Sequence, residues 1–192
     1  MNDFDAIQKE LRWILSNFTK SKNIDVVNRF VVKDNNIGIR LPHIKRSNYR
    51  EPIDNLIEKK NYYISFTDFS LLHIEYEFDK ESNICYSCLS YLPYIDNEEH
   101  ENKQLSKYIR IDYAPNDYKE IIHTKCHLHI GIDKTSFRIP VQTIIYPKEF
   151  IYFILKYIYY EDSEFIRLIT LNNEKDILLT DKEINKLRLM IG

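Results

Sequence analysis

The sequence predicts an α+β fold: a curved antiparallel β-sheet with helices packed on one face. Three observations point there. Segments between residues 62 and 141 repeatedly alternate apolar and polar side chains with period two. An amphipathic stripe of helical spacing opens the chain, and a second, more apolar helix follows Pro147. Composition agrees: of 192 residues 44% are hydrophobic, Ile fills 29 positions and Tyr 15, while Gly occurs 3 times and Pro 6. That is enough apolar material for one core, with little room for a flexible linker, and it is rich in the β-branched and aromatic residues that suit sheet. One domain over residues 1–192 is expected.

Taken in order, Phe4, Ile7, Leu11, Ile14, Leu15 and Phe18 form the first helical stripe, with Asp3 placed to cap it. Val26 to Val32 and Ile37 to Leu41 read as a hairpin around Asp34, Asn35 and Asn36. Pro42 to Pro52 is the densest basic stretch, with His43, Lys45, Arg46 and Arg50 around Tyr49, and suits a solvated loop as well as a phosphate contact. Pro52 to Lys60 predicts a short helix, followed by strands over Tyr62 to Thr67, Leu71 to Phe78 and Ile84 to Leu92. On the second of these, Leu72, Ile74, Tyr76 and Phe78 share one face, leaving His73, Glu75 and Glu77 on a solvated one.

After an acidic loop, Asp96 to Glu101, in which His100 is a surface residue, Tyr108 to Ala114 resumes the alternation. Lys125 to Ile132 and Phe137 to Val141 complete a last hairpin through Asp133 to Ser136, its simplest register setting Ile132 against Phe137 and Gly131 against Arg138. Pro147 opens a helix carrying Phe150, Ile151, Phe153, Ile154 and Ile158, expected to cross the face that carries Leu128, Ile130 and Ile139. Thr180 to Glu183 reads as a capping box, with Leu179 and Ile184 as its hydrophobic staple.

Net charge is −2, from 27 basic and 29 acidic residues, so no global field would hold nucleic acid or an anionic membrane, and any such contact must be local. Residues 1–20 lack the basic and continuous apolar regions of a signal peptide. The longest apolar run, Phe150 to Tyr160, is interrupted by Lys156 and falls well short of the roughly 20 residues of a membrane span. A soluble cytoplasmic protein without a membrane partner is expected. Cys85, Cys88 and Cys126 are an odd number, and Cys85-x-x-Cys88 lies on a strand, where residues three apart face opposite ways. Buried thiols are expected there rather than zinc or redox chemistry.

Cys126-His127-Leu128-His129-Ile130-Gly131 departs from plain core, because histidines two apart on a strand share a face. Antiparallel pairing with Tyr108 to Ala114 would bring Arg110 and Asp112 beside them, and Arg138 would reach them from the last strand. His123, just before the strand, is in reach of the same patch. Two imidazoles could act as base and acid on a phosphodiester, the arginines stabilising added negative charge and Asp112 fixing a tautomer of His127. This would be a metal-independent nuclease. The same side chains could instead hold a divalent metal, or simply decorate an exposed sheet face with cross-strand polar pairs. The sequence contains no P-loop, G-x-G-x-x-G, G-x-S-x-G or H-E-x-x-H, so no cofactor is expected.

Arg110-Ile111-Asp112-Tyr113-Ala114-Pro115, His127-Leu128-His129-Ile130-Gly131, Arg138-Ile139-Pro140 and Pro147-x-x-Phe150 with Tyr159-Tyr160 resemble the bacterial family known as domain of unknown function 2290. The resemblance is concentrated in residues 108–160 and elsewhere extends to element order. It implies an accessory protein encoded beside a helicase in anti-phage defence loci, with a helicase-type protein as partner; DNA or RNA as a further partner is the expectation from the patch itself. His-x-His before Gly with an Arg-x-Asp strand is also similar to small toxins of toxin–antitoxin pairs. The expectation is a defence component that cuts or grips nucleic acid through His127, His129, Arg138, Asp112 and Arg110. Its rivals are a non-catalytic module that regulates or recruits a partner, and a toxin.

Overall fold

The computed structural model describes residues 2–41, 44–96, 101–120, 123–132, 138–169, 178–180 and 182–183. Helix α1 (Asp3–Asn17) buries Ile7, Leu11 and Ile14 on one side, as its stripe predicts. Its cap is Asn2, whose side chain accepts from the Asp5 amide at 2.9 Å, rather than Asp3. Asp3 is engaged over longer range: its carboxylate accepts from the Ile84 amide at 3.0 Å and from the Tyr146 hydroxyl at 2.6 Å.

Among the described residues nine strands form one antiparallel sheet. They are β1 (Ile24–Val27), β2 (Val32–Lys33), β3 (Asn36–Gly38), β4 (Ile64–Phe66), β5 (Leu71–Phe78), β6 (Ile84–Leu92), β7 (Ile109–Tyr113), β8 (Cys126–Ile130) and β9 (Arg138–Pro140). The main path runs β1-β4-β5-β6-β7-β8-β9. The expected hairpin is confined to β2 and β3, where Asp34 and Asn35 both take positive φ, 48° and 60°, the requirement of a tight two-residue turn. β1 leaves it to pair with β4, and β3 and β4 share one edge of β5.

Helices α1, α4 (Pro147–Phe153) and α5 (Glu164–Leu168) cover the first face. α4 continues through a π-helical stretch, Ile154–Ile158. Phe150, Ile151, Ile154 and Leu155 are fully buried against Leu72, Ile74, Tyr76, Leu89, Ile111 and Cys126. Leu128 packs on this core, but Ile130, expected beneath the same helix, is 49% exposed because it sits where β8 ends. The opposite face receives α2 (Arg50–Glu58) and α3 (Glu101–Leu105). Tyr49, Ile53, Leu56 and Leu105 close there over Leu71, Leu92 and Tyr108. The basic stretch ahead of α2 is thus tied down by Tyr49, whose buried hydroxyl donates to the Pro93 carbonyl at 2.7 Å.

The Thr180 amide donates to Glu183 and the Glu183 amide to Thr180, the reciprocal bonds of a capping box. Ile184 of the staple, His43, His100, Phe137 and the turn Asp133 to Ser136 lie outside the described residues. Among the described residues no helix is long and apolar enough to cross a membrane.

Candidate functional site: a buried His–Asp–Arg cluster

On the second face, antiparallel pairing lines up two rows of polar side chains. His73, Ser90, Arg110, His129 and Arg138 stand opposite one another across β5 to β9, and Glu75, Cys88, Asp112 and His127 form the neighbouring row. The local cause is strand alternation: His127-Leu128-His129, Arg110-Ile111-Asp112 and His73-Ile74-Glu75 each send the middle residue to the apolar core and its flanks to the other side.

Arg138 pairs with His129 rather than with Gly131, the partner that the simplest turn would give. Gly131, at φ +75°, has already taken the chain out of the strand, and the shift of two residues keeps Arg138 on the same face.

The cluster centres on Asp112. Its Oδ2 accepts from Arg110 Nε at 2.8 Å and lies 2.7 Å from Arg110 Nη2. His129 Nε2 is 3.4 Å and His127 Nε2 3.7 Å from the same oxygen. His127 Nδ1 donates to the Thr124 carbonyl at 3.1 Å, which assigns the proton of the neutral ring to Nδ1 and turns the Nε2 lone pair toward the carboxylate. The His127 and His129 rings meet edge to face with centroids 4.8 Å apart, and His123 stacks edge-on at 4.6 Å on the other side of His127. Arg138 is exposed on β9, and its charge adds to burial in lowering the His123 pKa.

These residues do not decorate an exposed face. Asp112, His127 and His129 are 6%, 2% and 6% exposed, and Arg110 forms the wetter edge. Burial, only partly opposed by Asp112, lowers His127 to about 4, so the ring is neutral at neutral pH and presents a lone pair. Burial alone would raise the Asp112 carboxyl, but the His129 imidazole and the Arg110 guanidinium more than offset it and hold it below its usual value. Asp112 Oδ1 is buried and accepts no hydrogen bond. Cys88, opposite Asp112 on β6, is pushed up to about 12 by burial and by that carboxylate, so its thiol is inert. The Cys85-x-x-Cys88 pair forms no disulfide.

His73 and Glu75 are likewise buried, where solvated positions were expected. The chain after β3 returns across their face: His73 Nε2 bonds to the Ile39 carbonyl, and Glu75 to the Leu41 backbone. His73 also lines a cavity of about 150 Å³ together with Leu11, Phe30, Ile39 and Tyr62. Burial lowers its pKa from 6.5 to about 4. The unfolded chain therefore takes a proton below 6.5 that the folded chain refuses until about 4, and stability falls as pH drops through that window. The slope due to this ring is about 1.4 kcal/mol per pH unit at most. Urea unfolding of His73→Gln against wild type at several pH values from neutral to 4.5 should show a flatter pH dependence in the variant. Parallel curves would mean that the ring titrates normally.

Fold and cluster together define an α+β protein with a polar centre set into one face of its sheet. The chain belongs to the DUF2290 family, described as an uncharacterized conserved protein, whose family model matches residues 14–191. No curated protein and no solved structure matches it.

Proposed function

We propose that the cluster is a phosphate-handling centre, and that the protein cuts or grips nucleic acid there as a component of a bacterial anti-phage system acting with a helicase-type partner. The observation that supports the chemical part is the gathering of two imidazoles and Arg110 on one buried carboxylate, with Arg138 exposed beside them. Burying an aspartate and two histidines opposes folding, and such arrangements concentrate at sites of chemistry. The defence setting and the partner are supported by the resemblance carried in residues 108–160. With His127 neutral, the relay of paired imidazole acid and base is the weaker mechanism. Activation of water by a base or a ligated ion, with arginine stabilising the developing charge, fits the cluster better.

The test is binding and cleavage of labelled single- and double-stranded DNA and RNA, with plaque counts on the same variants. Arg138→Ala touches an exposed side chain, so melting should be unchanged, while affinity for the polyanion falls several-fold and its salt slope drops by about one. His129→Gln should lower cleavage by about 100-fold or more. Folded wild type that neither binds nor cuts any of the four would overturn the reading. A second reading is favoured by the 2% exposure of His127: a module that recruits or regulates its partner, in which the cluster only braces the sheet. Protection that survives His129→Gln in a folded protein would select it.

A further inference from the structure

We infer that Asp112, His127 and His129 bind one divalent first-row transition-metal ion, zinc being the best match to the donor set. Metal binding does not require the ligand at this face to be nucleic acid, so the inference goes beyond the function proposed above. Among the described residues, these three bring a carboxylate oxygen and two imidazole nitrogens within 4.8 Å of one another. On a tetrahedron with metal–ligand distances of about 2.0–2.1 Å, neighbouring donors lie about 3.3–3.4 Å apart. The two nitrogens stand 3.4 and 3.7 Å from Asp112 Oδ2, so only a few tenths of an ångström of contraction, roughly, is needed on that side.

The hydrogen bonding points the same way. Because Thr124 holds the proton of neutral His127 on Nδ1, the Nε2 lone pair faces a carboxylate, acceptor against acceptor, inside the protein. A cation between them turns that repulsion into attraction. The Thr124 carbonyl orients His127, and Arg110 orients the carboxylate, as partners behind metal ligands commonly do. Arg110 shares Oδ2 with the two imidazoles, and Oδ1 is buried and accepts no hydrogen bond, so the carboxylate keeps acceptor capacity for an ion. All three ligands sit on adjacent strands, β7 and β8, so the site is held by the ladder rather than by a loop. Two nitrogens and one carboxylate suit zinc, cobalt or iron. Magnesium and calcium need shells of oxygen that these residues do not supply. Three protein donors leave a further coordination position for water or a substrate oxygen.

The full chain, stripped with a chelator and titrated at neutral pH with cobalt(II) and then zinc(II), should take up one ion per chain. Cobalt should give visible ligand-field absorption that zinc abolishes, and either ion should raise the melting temperature by several degrees where magnesium does not. His127→Gln and His129→Gln should each weaken uptake by at least about 100-fold, while His123→Gln should not. If the variants fail to fold, the wild-type stoichiometry and spectrum decide. Uptake well below one ion per chain without a cobalt spectrum would overturn the inference, as would a spectrum that survives the His127→Gln/His129→Gln double substitution. Stoichiometric metal without nucleic-acid binding or cleavage would sink only the function proposed above. Cleavage undiminished in excess chelator, by protein that takes up no metal, would sink only the metal.

Discussion

Asp112→Ala is expected to cost about 3 kcal/mol of folding stability, read as a lower midpoint of urea unfolding at neutral pH. The carboxylate is buried and joined to Arg110 at 2.7–2.8 Å, with two imidazoles against it. Its removal strands a guanidinium and opens a cavity on the inner face of the sheet. Breaking a buried pair from one side costs about 3–5 kcal/mol, and the lower end applies here because 36% of the Arg110 side chain already reaches water. Asp112→Asn keeps the shape and one acceptor and should cost about half as much. The charge contribution has a definite pH window. Because the folded carboxyl lies below its usual value, the gap between wild type and Asn should persist from neutral pH down to the ordinary carboxylate range and close only as the pH falls through the folded pKa. An alanine variant within about 0.5 kcal/mol of wild type would mean that the cluster contributes nothing to stability.

Gly38→Ala should be as damaging, at about 4 kcal/mol, for a steric reason. Gly38 pairs with Glu75 at φ +100°, and a Cβ there would lie 2.0 Å from the Ile74 carbonyl oxygen and 3.2 Å from the Glu75 Cα. Both atoms belong to the backbone of β5, so the clash is relieved only if β3 moves away and gives up its ladder. Left-handed strain and overpacking each contribute about 1–3 kcal/mol. Gly131 provides the control. It too has positive φ, 75°, but a Cβ would come no nearer than 4.0 Å to the Leu105 carbonyl, so Gly131→Ala should cost about 1 kcal/mol. Chemical denaturation of the two variants, with hydrogen exchange at β3, separates the effects. Equal losses at both positions would refute the steric account.

Element type was legible wherever one face of an element met the core. The period of two along β5, β6, β7 and β8 follows from packing against α1 and α4, and it carried the placement of Arg110, Asp112, His127 and His129 on a common face. Strand partners were less legible, since alternation states which residues share a face and not which strand lies alongside. Val26 therefore read as part of a hairpin with residues 37–41, although its strand belongs beside β4. Exposure of the second face was illegible for a related reason: His73 and Glu75 are buried by chain that returns from residues 39–41, a contact with no local signature. One signal was present. Tyr49, Ile53 and Leu56 give α2 an apolar side, and a short helix with such a side must find a surface. The Thr124 carbonyl that orients His127 belongs to the backbone and leaves no mark in residue types.

The engagement of Asp3 bears on how the chain reaches its fold. Strands β5 to β8 form a meander of near neighbours, each able to pair with the one just made. Asp3, by contrast, closes onto Ile84 and Tyr146, and Glu10 in the same helix accepts from the Lys148 amide at 3.0 Å. During synthesis the first helix leaves the ribosome long before the residues that complete its bonds. Its contacts with Tyr63, Phe78 and Ile84 come within reach first, and those with Tyr146 and Lys148 only when residue 148 has followed. The helix is thus completed from two distant parts of the chain, its last bonds becoming possible well over a hundred residues of synthesis after its own, on the order of ten seconds later.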